Sequence, residues 1–211
     1  MVHVLITREA GRGEDLRRAL EGLGHRVTHV PLIATEPLGD EPLALDPYEW
    51  VIVTSVTGAR ELRRRATGHR PRYAAIGEAT AEALGGADFI PAVASQEGFL
   101  AEFPPATGRV LFAGAEGARR LIAETLGADF VALYRTIELT PADLPDADLA
   151  VLASPSAARA LARVRPGAAV VSIGPQTTQR AAALGLAVLA EATYPNAAAV
   201  AVAVEDAVSA L

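Results

Sequence analysis

The sequence predicts an α/β protein made of two related lobes with doubly wound parallel sheets. Two observations carry this prediction. Short apolar segments alternate with helical patterns along the chain, and two stretches of sequence recur 99 and 97 residues later. The length of 211 residues suits one large or two small domains, and the 51% of hydrophobic residues is typical of a folded globular chain.

The alternation of strands and helices begins at the first residues. An apolar strand at 4–7 precedes a helical pattern at Glu14–Gly22, and Gly24 is suited to end that helix. Further strands are predicted at 27–32, 51–54 and 73–76, with helices at 59–65 and 78–84. Strands that are apolar on both faces and separated by helices are typical of parallel, flavodoxin-like sheets that helices cover on both sides.

Internal similarity relates two parts of the chain. Residues 51–62 resemble residues 150–161, which matches Ser55 with Ser154. Further matched segments are 75–80 with 172–177 and, more weakly, 4–27 with 110–131. Because the first two offsets nearly agree, the repeat predicts two lobes of the same kind.

Proline-rich connectors separate the repeated segments. Residues 31–47 contain four prolines and residues 136–148 contain two. We expect the segments 33–39 and 133–139 to pair as a two-stranded β-ladder that acts as a hinge.

This pairing sets the predicted domain boundaries. One lobe is contiguous and the other is discontinuous, and their ranges are 40–132 for the first and 1–32 plus 140–211 for the second. The pair Pro104-Pro105 marks another break in the chain, so two consecutive lobes remain the alternative.

Composition excludes several classes of chemistry. All nineteen basic residues are arginine, so the chain lacks the lysine of a phosphate loop or Schiff base. It also has no cysteine for thiol or iron–sulfur chemistry.

Charge and hydropathy bear on the partners of the protein. The net charge of -6, without long runs of one sign, argues against nucleic-acid binding. No signal-like pattern opens the chain, and the apolar run 197–204 is too short to cross a bilayer. We therefore expect a cytoplasmic protein without a membrane partner.

Small polar residues follow the predicted strands and precede helices. Ser55 and Ser154 occupy such turns, and Ile-Gly-x-x-Thr turns follow at 76–80 and 173–177. Ligands bind at the carboxyl ends of parallel strands, where helix N-termini present unpaired N–H groups to anions. For any single one of these residues ordinary helix capping is the better explanation, and the repetition in both lobes makes an anion site an equal alternative.

Two other motifs give weaker evidence for a ligand site. His25 and His29 lie on a predicted strand, where four residues span about 13 Å, so they cannot share one metal ion. The segment 11–16 begins like a dinucleotide-binding loop, but Leu16 takes the place of its third glycine.

Seven short segments form an ordered pattern along the chain. They are Val4-Leu-Ile-Thr-Arg8, Pro31, Thr54-Ser55, Ile76-Gly-Glu-Ala-Thr-Ala81, Leu133-Tyr-Arg-Thr136, Ser154-Pro-Ser-Ala157 and Ile173-Gly-Pro-Gln-Thr177. Taken together, they resemble the motifs of the uroporphyrinogen-III synthase family, which belongs to the tetrapyrrole pathway. The resemblance covers nearly the whole chain, and the order and spacing of the segments are more specific than any single motif. The chain departs from the family pattern at Glu9, where proline is common, and at Gln176, where threonine is frequent.

The resemblance implies a cyclisation that needs no cofactor and no metal. The implied substrate is hydroxymethylbilane, which loses its terminal hydroxyl and closes through a spiro intermediate, with inversion of ring D, to uroporphyrinogen III and water. It also implies Tyr134 as the general acid, although packing on the hinge strand is an equal alternative for this residue. We expect a monomer that binds its substrate through Arg8, Ser55, Val56, Thr57, Gly77, Glu78, Ala79, Thr80, Ser95, Ser154, Ser156, Ala157, Gly174, Gln176 and Thr177.

Two other functions stay open from the sequence. A two-lobed cytoplasmic anion-binding or sensor module would use the same turns without doing chemistry, because a shared fold does not fix function. An enzyme acting on phosphates or nucleotide sugars is the weaker alternative, since the chain has no complete phosphate-binding loop.

Overall fold

Alternating strands and helices run through residues 1–209, which are the residues that the computed structural model describes. The strands are β1 (His3–Ile6), β2 (Arg26–His29), β3 (Ile33–Pro37), β4 (Leu43–Ala44), β5 (Tyr48–Val53), β6 (Ala66–Thr67), β7 (Arg72–Ala75), β8 (Arg109–Ala115), β9 (Asp129–Glu138), β10 (Leu149–Leu152), β11 (Ala169–Ser172) and β12 (Ala187–Glu191). The helices are α1 (Glu14–Gly22), α2 (Val56–Arg65), α3 (Glu78–Leu84), α4 (Gln96–Glu102), α5 (Leu121–Leu126), α6 (Pro155–Val164), α7 (Pro175–Ala183) and α8 (Ala197–Val208). The predicted α/β class is confirmed.

The chain divides into two units, each with its own five-stranded sheet. Unit 1 comprises Met1–Thr35 and the described part of Ile137–Leu211. Its sheet has the order β12-β11-β10-β1-β2, and every neighbouring pair is parallel. Numbered within the unit, this is the flavodoxin-like order 2-1-3-4-5.

The first strand of unit 1 has three apolar residues in a row instead of alternating apolar and polar residues. Val4 and Ile6 pack on the side of α1 and α8, whereas Leu5 packs on the side of α6 and α7. Successive side chains of a strand point to opposite faces, so a sheet that helices cover on both faces needs apolar residues at every position.

Unit 2 comprises Glu36–Thr136 and has the sheet order β7-β5-β8-β9-β3. Strands β5, β7, β8 and β9 are parallel and follow the same flavodoxin-like order, with β3 in the fifth place. On one face Val51 and Val53 pack with α2 and α3, and on the other Trp50 and Ile52 pack with α4 and α5. A separate two-stranded sheet pairs β4 with β6.

Strands β3 and β9 pair, as the sequence predicts for the two connectors, but they belong to a five-stranded sheet and do not form a separate two-stranded ladder. The Leu38 N–H donates to the Leu133 carbonyl at 2.8 Å, and the Leu139 N–H donates to the Leu32 carbonyl at 2.9 Å. Residue numbers rise along one segment as they fall along the other, so the two segments run antiparallel.

The structure differs from the predicted elements at some boundaries. The strand predicted at 27–32 ends at His29, although the Val30 and Leu32 N–H groups still donate to carbonyls of Ile6 and Thr7, and β3 begins only at Ile33. Helix α2 begins at Val56, ahead of the predicted start at 59, because Ser55 caps it.

Helix lengths also bear on the membrane prediction. Within residues 1–209, no helix is both long enough and apolar enough to cross a membrane.

We expect Gly98→Ala to destabilise unit 2. A Cβ at Gly98 would lie 2.5 Å from the Val93 carbonyl oxygen and 2.7 Å from the Val93 Cβ, so the backbone must shift. Overpacking of this kind costs about 1–3 kcal/mol of the free energy of unfolding. Urea unfolding followed by the fluorescence of Trp50, the only tryptophan, reports on unit 2 and should show a lower midpoint.

Gly117→Ala is the matched control, because a Cβ at Gly117, in the same unit, meets no atom within 4 Å. Equal midpoints for Gly98→Ala and the unmodified chain would contradict the packing described for α4.

Candidate active site

The strand order of each unit reverses at one place. In unit 1 the reversal lies between β1 and β10, and in unit 2 it lies between β5 and β8. Ligands of open α/β sheets bind beyond the carboxyl ends of the strands at this switch point. The turns at Ser55 and Ser154 follow β5 and β10 at these reversals, and the Ile-Gly-x-x-Thr turns follow the adjacent strands β7 and β11, so each unit has a candidate ligand-binding edge of its own.

Strand register lines up three residues at the carboxyl edge of unit 2. Strands β5 and β8 pair Val53 with Ala113, and strands β8 and β9 pair Ala115 with Tyr134. Ser55 lies two residues beyond Val53, and Ala115 lies two residues beyond Ala113. Ser55, Ala115 and Tyr134 therefore form one row across the switch point.

A register shift in β9 turns Tyr134 toward this row. Gly114 pairs with Ala132 but Ala115 pairs with Tyr134, so Leu133 is an extra residue on β9. Neighbouring residues of a regular strand face opposite sides, whereas here Leu133 and Tyr134 both join the cluster that packs against α2 and α3. Tyr134 is only 8% exposed.

The hydroxyl of Tyr134 meets the N-terminal end of α2 through Ser55. The Tyr134 hydroxyl oxygen lies 2.9 Å from Ser55 Oγ, and the Gly58 N–H donates to the same Oγ at 3.0 Å. Strands β5 and β9 are two strand spacings, about 10 Å, apart, and the tyrosine side chain spans this gap beside Ala115. One serine thus links a buried phenol to the positive end of a helix.

Gly58 makes close packing possible at this point, and the sequence reasoning missed it. A Cβ at Gly58 would lie 3.0 Å from Ser55 Oγ and 3.2 Å from Val53 Cγ1. The repeat contained a signal, since the matched residue of unit 1 is Ala157, which is also small and is completely buried.

The other predicted residues of unit 2 lie at three helix starts. Gly77 precedes α3 in an extended conformation and has no side chain to cap it, and Ser95 Oγ caps α4 by accepting the Gly98 N–H at 2.9 Å. The side chain of Thr80 is buried, at 5% exposure. The predicted residues in the first turns of α2 and α3 are Val56, Thr57, Glu78 and Ala79.

The carboxyl edge of unit 1 brings Arg8 beside its own switch point. Thr7, which directly follows β1, donates its hydroxyl proton to the Val151 carbonyl of β10 at 2.7 Å. The His29 imidazole Nε2 lies 2.8 Å from the Arg8 carbonyl oxygen and holds the backbone there. Arg8 is half-buried, and its guanidinium forms no ion pair with a carboxylate in residues 1–209.

The turn after β10 uses both of its serines within the protein. Ser154 Oγ caps α6 by accepting the Ala157 N–H at 3.1 Å. Ser156 Oγ accepts from Arg159 Nη2 at 3.1 Å, and Arg159 Nε donates to Glu138 at 2.6 Å. Ser156 is therefore hydrogen-bonded to the arginine of the Arg159–Glu138 ion pair.

The turn after β11 has a glycine where the turn after β10 has a serine. Gly174 precedes α7 without a side-chain cap, and Gln176 is exposed in the first turn. Thr177 is buried at 3% exposure, so its backbone lies at the turn while its hydroxyl faces the protein interior. Beneath the turn, Ser172 Oγ lies 2.5 Å from Thr178 Oγ1.

Carboxylates with shifted pKa values mark the opposite edge of unit 2. The Gly108 N–H, followed by the N–H and hydroxyl of Thr107 and the charge of Arg72, lowers the pKa of Glu49. The Tyr73 N–H, followed by Arg70, lowers the pKa of Asp88. These bonds lie where β5, β7 and β8 begin, so they hold the amino ends of the strands in place and take no part in the candidate site.

Within the described residues, no three histidine or carboxylate side chains lie close enough to hold a metal ion. The two histidines singled out from the sequence have separate partners. His25 contacts the Glu205 carboxylate, and His29 contacts the Arg8 carbonyl.

The fold and its edges define a class of protein: an α/β protein with two flavodoxin-like units, whose strand ends carry hydroxyls, helix N-termini and, in unit 1, an arginine. A family model described as uroporphyrinogen-III synthase HemD matches residues 14–201. The chain belongs to the uroporphyrinogen-III synthase family, which comprises cyclising lyases of heme biosynthesis that act on a tetrapyrrole. The enzyme is thereby favoured over the binding module without catalysis.

Solved structures of similar fold come from the extremely thermophilic bacterium Thermus thermophilus. A mutant uroporphyrinogen III synthase from this organism, in its Form-1 crystal, is 14% identical, aligns over 100% of both chains and has a TM-score of 0.62. The wild-type enzyme in its Form-2 crystal is also 14% identical, with 100% of this chain and 99% of that chain covered and a TM-score of 0.47. The first of these shows a shared fold. Comparison with curated protein sequences gave no match.

The stability of unit 2 should fall in acid, in part because of Glu49. Its pKa is lowered in the folded state from an ordinary value of 4.5. Its stabilisation is therefore fully present above about pH 4.5 and is lost as the pH falls through the lower folded-state pKa. We expect Glu49→Gln to lower the urea midpoint, followed by Trp50 fluorescence, at pH 7, and expect this difference to shrink toward pH 3.

Glu82→Gln is the control, because Glu82 is an exposed carboxylate of α3 that forms no ion pair in the described chain. A difference between Glu49→Gln and the unmodified protein that stays constant from pH 7 to pH 3 would contradict the charge-based explanation.

Proposed function

We propose that this chain converts hydroxymethylbilane to uroporphyrinogen III and water, with inversion of ring D through a spiro intermediate. Membership of the family supports the reaction. The observation that carries the proposed chemistry is the Tyr134 hydroxyl, which lies at the switch point of unit 2 within 2.9 Å of Ser55 Oγ. Protonation of a departing hydroxyl needs such a group, positioned by the protein and shielded from water.

Tyr134 is the proposed proton donor for loss of the terminal hydroxyl. Its ring is buried against α2 and α3, and its hydroxyl lies at the strand edge where ligands of this fold bind. A residue with only a packing role would not need this bond, because the phenol could be replaced by a phenyl ring of nearly the same shape.

The turns are the proposed contacts for the carboxylates of the substrate. First-turn N–H groups at Val56, Glu78 and Gln176 have no carbonyl of their own helix to bond, and they lie at the positive ends of their helices. Arg8 adds a guanidinium that no carboxylate of the described chain neutralises. Thr80, Ala157 and Thr177 have buried side chains, so they would contribute through the shape of the turn.

Control of the ring inversion is the main task that we assign to this binding. The linear substrate also closes without enzyme, to the isomer in which ring D is not inverted. The protein must therefore hold the last ring so that the inverting carbon attacks faster, and this is an effect of orientation.

We also make a proposal about the domain organisation. We propose that 1–32 with 140–211 and 40–132 act as lobes and that 33–39 and 133–139 act as hinge strands. The pairing of β3 with β9 supports this proposal. A cytoplasmic location and a monomeric state stay predictions.

We expect the purified protein to direct freshly made hydroxymethylbilane to the type III isomer. The products are oxidised to porphyrins and separated by chromatography, with heat-denatured protein as the control. Isomer III should predominate only with folded protein. Isomer I alone, from protein shown to be folded by circular dichroism, would overturn the proposed function.

Tyr134→Phe should lower kcat by roughly 100-fold, because the variant loses the proton donor but keeps the ring. Tyr73→Phe is a matched control, since Tyr73 belongs to the same cluster and has the same 8% exposure. A loss of less than about threefold in Tyr134→Phe would reject the role of Tyr134 as general acid.

A further inference from the structure

We propose that Ser55 is a positioning residue that acts through Tyr134, rather than a direct contact for the substrate. It orients the phenol proton toward the ligand. Through its hydroxyl it also couples the phenol oxygen to the partial positive charge at the N-terminus of α2. This inference rests on the proposed function of Tyr134.

The hydrogen-bonding capacity of Ser55 supports this role. A serine hydroxyl has one proton to donate and two lone pairs to accept with. The Gly58 N–H takes one lone pair at 3.0 Å, and the Tyr134 hydroxyl oxygen lies 2.9 Å away. When Tyr134 donates its proton to the substrate, Ser55 must donate to Tyr134, so the serine accepts from the helix and donates to the phenol.

This order of donors also suits the state that follows proton transfer. The O–H bond of Tyr134 breaks, and its proton joins the departing hydroxyl. The carbon–oxygen bond of the substrate breaks with both electrons going to oxygen, so the hydroxyl leaves as water. The phenolate then keeps the Ser55 O–H as a donor, and this bond becomes charge-assisted. The substrate gives up one proton in the overall loss of water, and that proton restores the phenol.

Comparison with the other capped helices separates this role from capping. Ser95, Ser154 and Asn196 each accept the N–H of the residue three positions later, as Ser55 does. Of these four caps in residues 1–209, the structure gives a tyrosine hydroxyl as a second partner to Ser55 alone. Gly58 also approaches Ser55 more closely than a larger residue would permit.

The partly buried position of the pair strengthens the coupling. Tyr134 is 8% exposed, and its ring packs in a cluster with Ala59 and Leu62 of α2, whereas Ser55 is half-buried. Hydrogen bonds beside such a buried ring are electrostatically stronger than in bulk water.

The first test compares Ser55→Ala with Asn196→Ala. Both variants lose a helix cap and should lose similar stability, but only Ser55→Ala should lower kcat, by about tenfold, with KM nearly unchanged. Ser55→Thr keeps a hydroxyl at the cap and should restore most of the turnover. Equal kcat values for the two alanine variants, or a raised KM with unchanged kcat, would overturn the proposal.

A double-mutant cycle shows whether Ser55 acts through Tyr134. If it does, adding Ser55→Ala to Tyr134→Phe should cause no further loss of kcat, because the phenol that the serine positions is already gone. A second tenfold loss in the double variant would show that Ser55 acts independently of Tyr134.

A spectroscopic measurement tests the contact without relying on activity. The ¹³C resonance of the Tyr134 Cζ, assigned by its loss in Tyr134→Phe, should shift in Ser55→Ala and stay in place in Asn196→Ala and Ser55→Thr. An unmoved resonance in Ser55→Ala would refute the hydrogen bond. A moved resonance in a protein that makes no isomer III would instead refute the proposed function and leave the contact standing.

Discussion

Parallel pairing of buried strands determines where polar groups can lie in this protein. Helices cover both faces of each parallel sheet, so the side chains within these strands are almost all apolar, as in β1 and β5. Polar side chains therefore lie mainly at the two ends of the strands. In unit 2 the amino ends hold ion pairs such as Glu49 with Arg72, whereas the carboxyl ends hold hydroxyls and helix N-termini. First-turn amides that have no carbonyl of their own helix to bond suit an anionic ligand better than an edge of paired charges does.

One extra residue determines where the Tyr134 hydroxyl lies at the carboxyl edge of unit 2. Without Leu133 as a bulge, Tyr134 would face the other side of the sheet, toward α4 and α5, and its hydroxyl would lie far from Ser55. The shift occurs beside Gly114, which has no side chain to stabilise a regular strand. Ala113 and Ala115 then leave space for a large ring on the same face. The site thus depends on a local irregularity that three small residues permit.

The sequence predicted the regular parts of the molecule better than the irregular ones. Hydrophobic periodicity placed α1 and α3 at the observed bounds, because their apolar stripes and flanking glycines are local signals. The repeat identified Ser55 and Ser154 as equivalent, and both are helix caps. The contact between Ser55 and Tyr134 joins residues 79 positions apart and depends on a bulge, which hydrophobic patterning does not reveal.

The two units share a fold, but their switch points carry different side chains. In unit 1 the segment that follows β2 stays beside β1 through the Val30 and Leu32 N–H groups, but residues 30–32 are valine, proline and leucine and offer no hydroxyl. The hydroxyl of Thr7 is already committed to Val151. Arg8 remains as a cation that no carboxylate of the described chain neutralises. On the proposed function Arg8 binds a carboxylate of the substrate, so its loss should affect KM more than kcat.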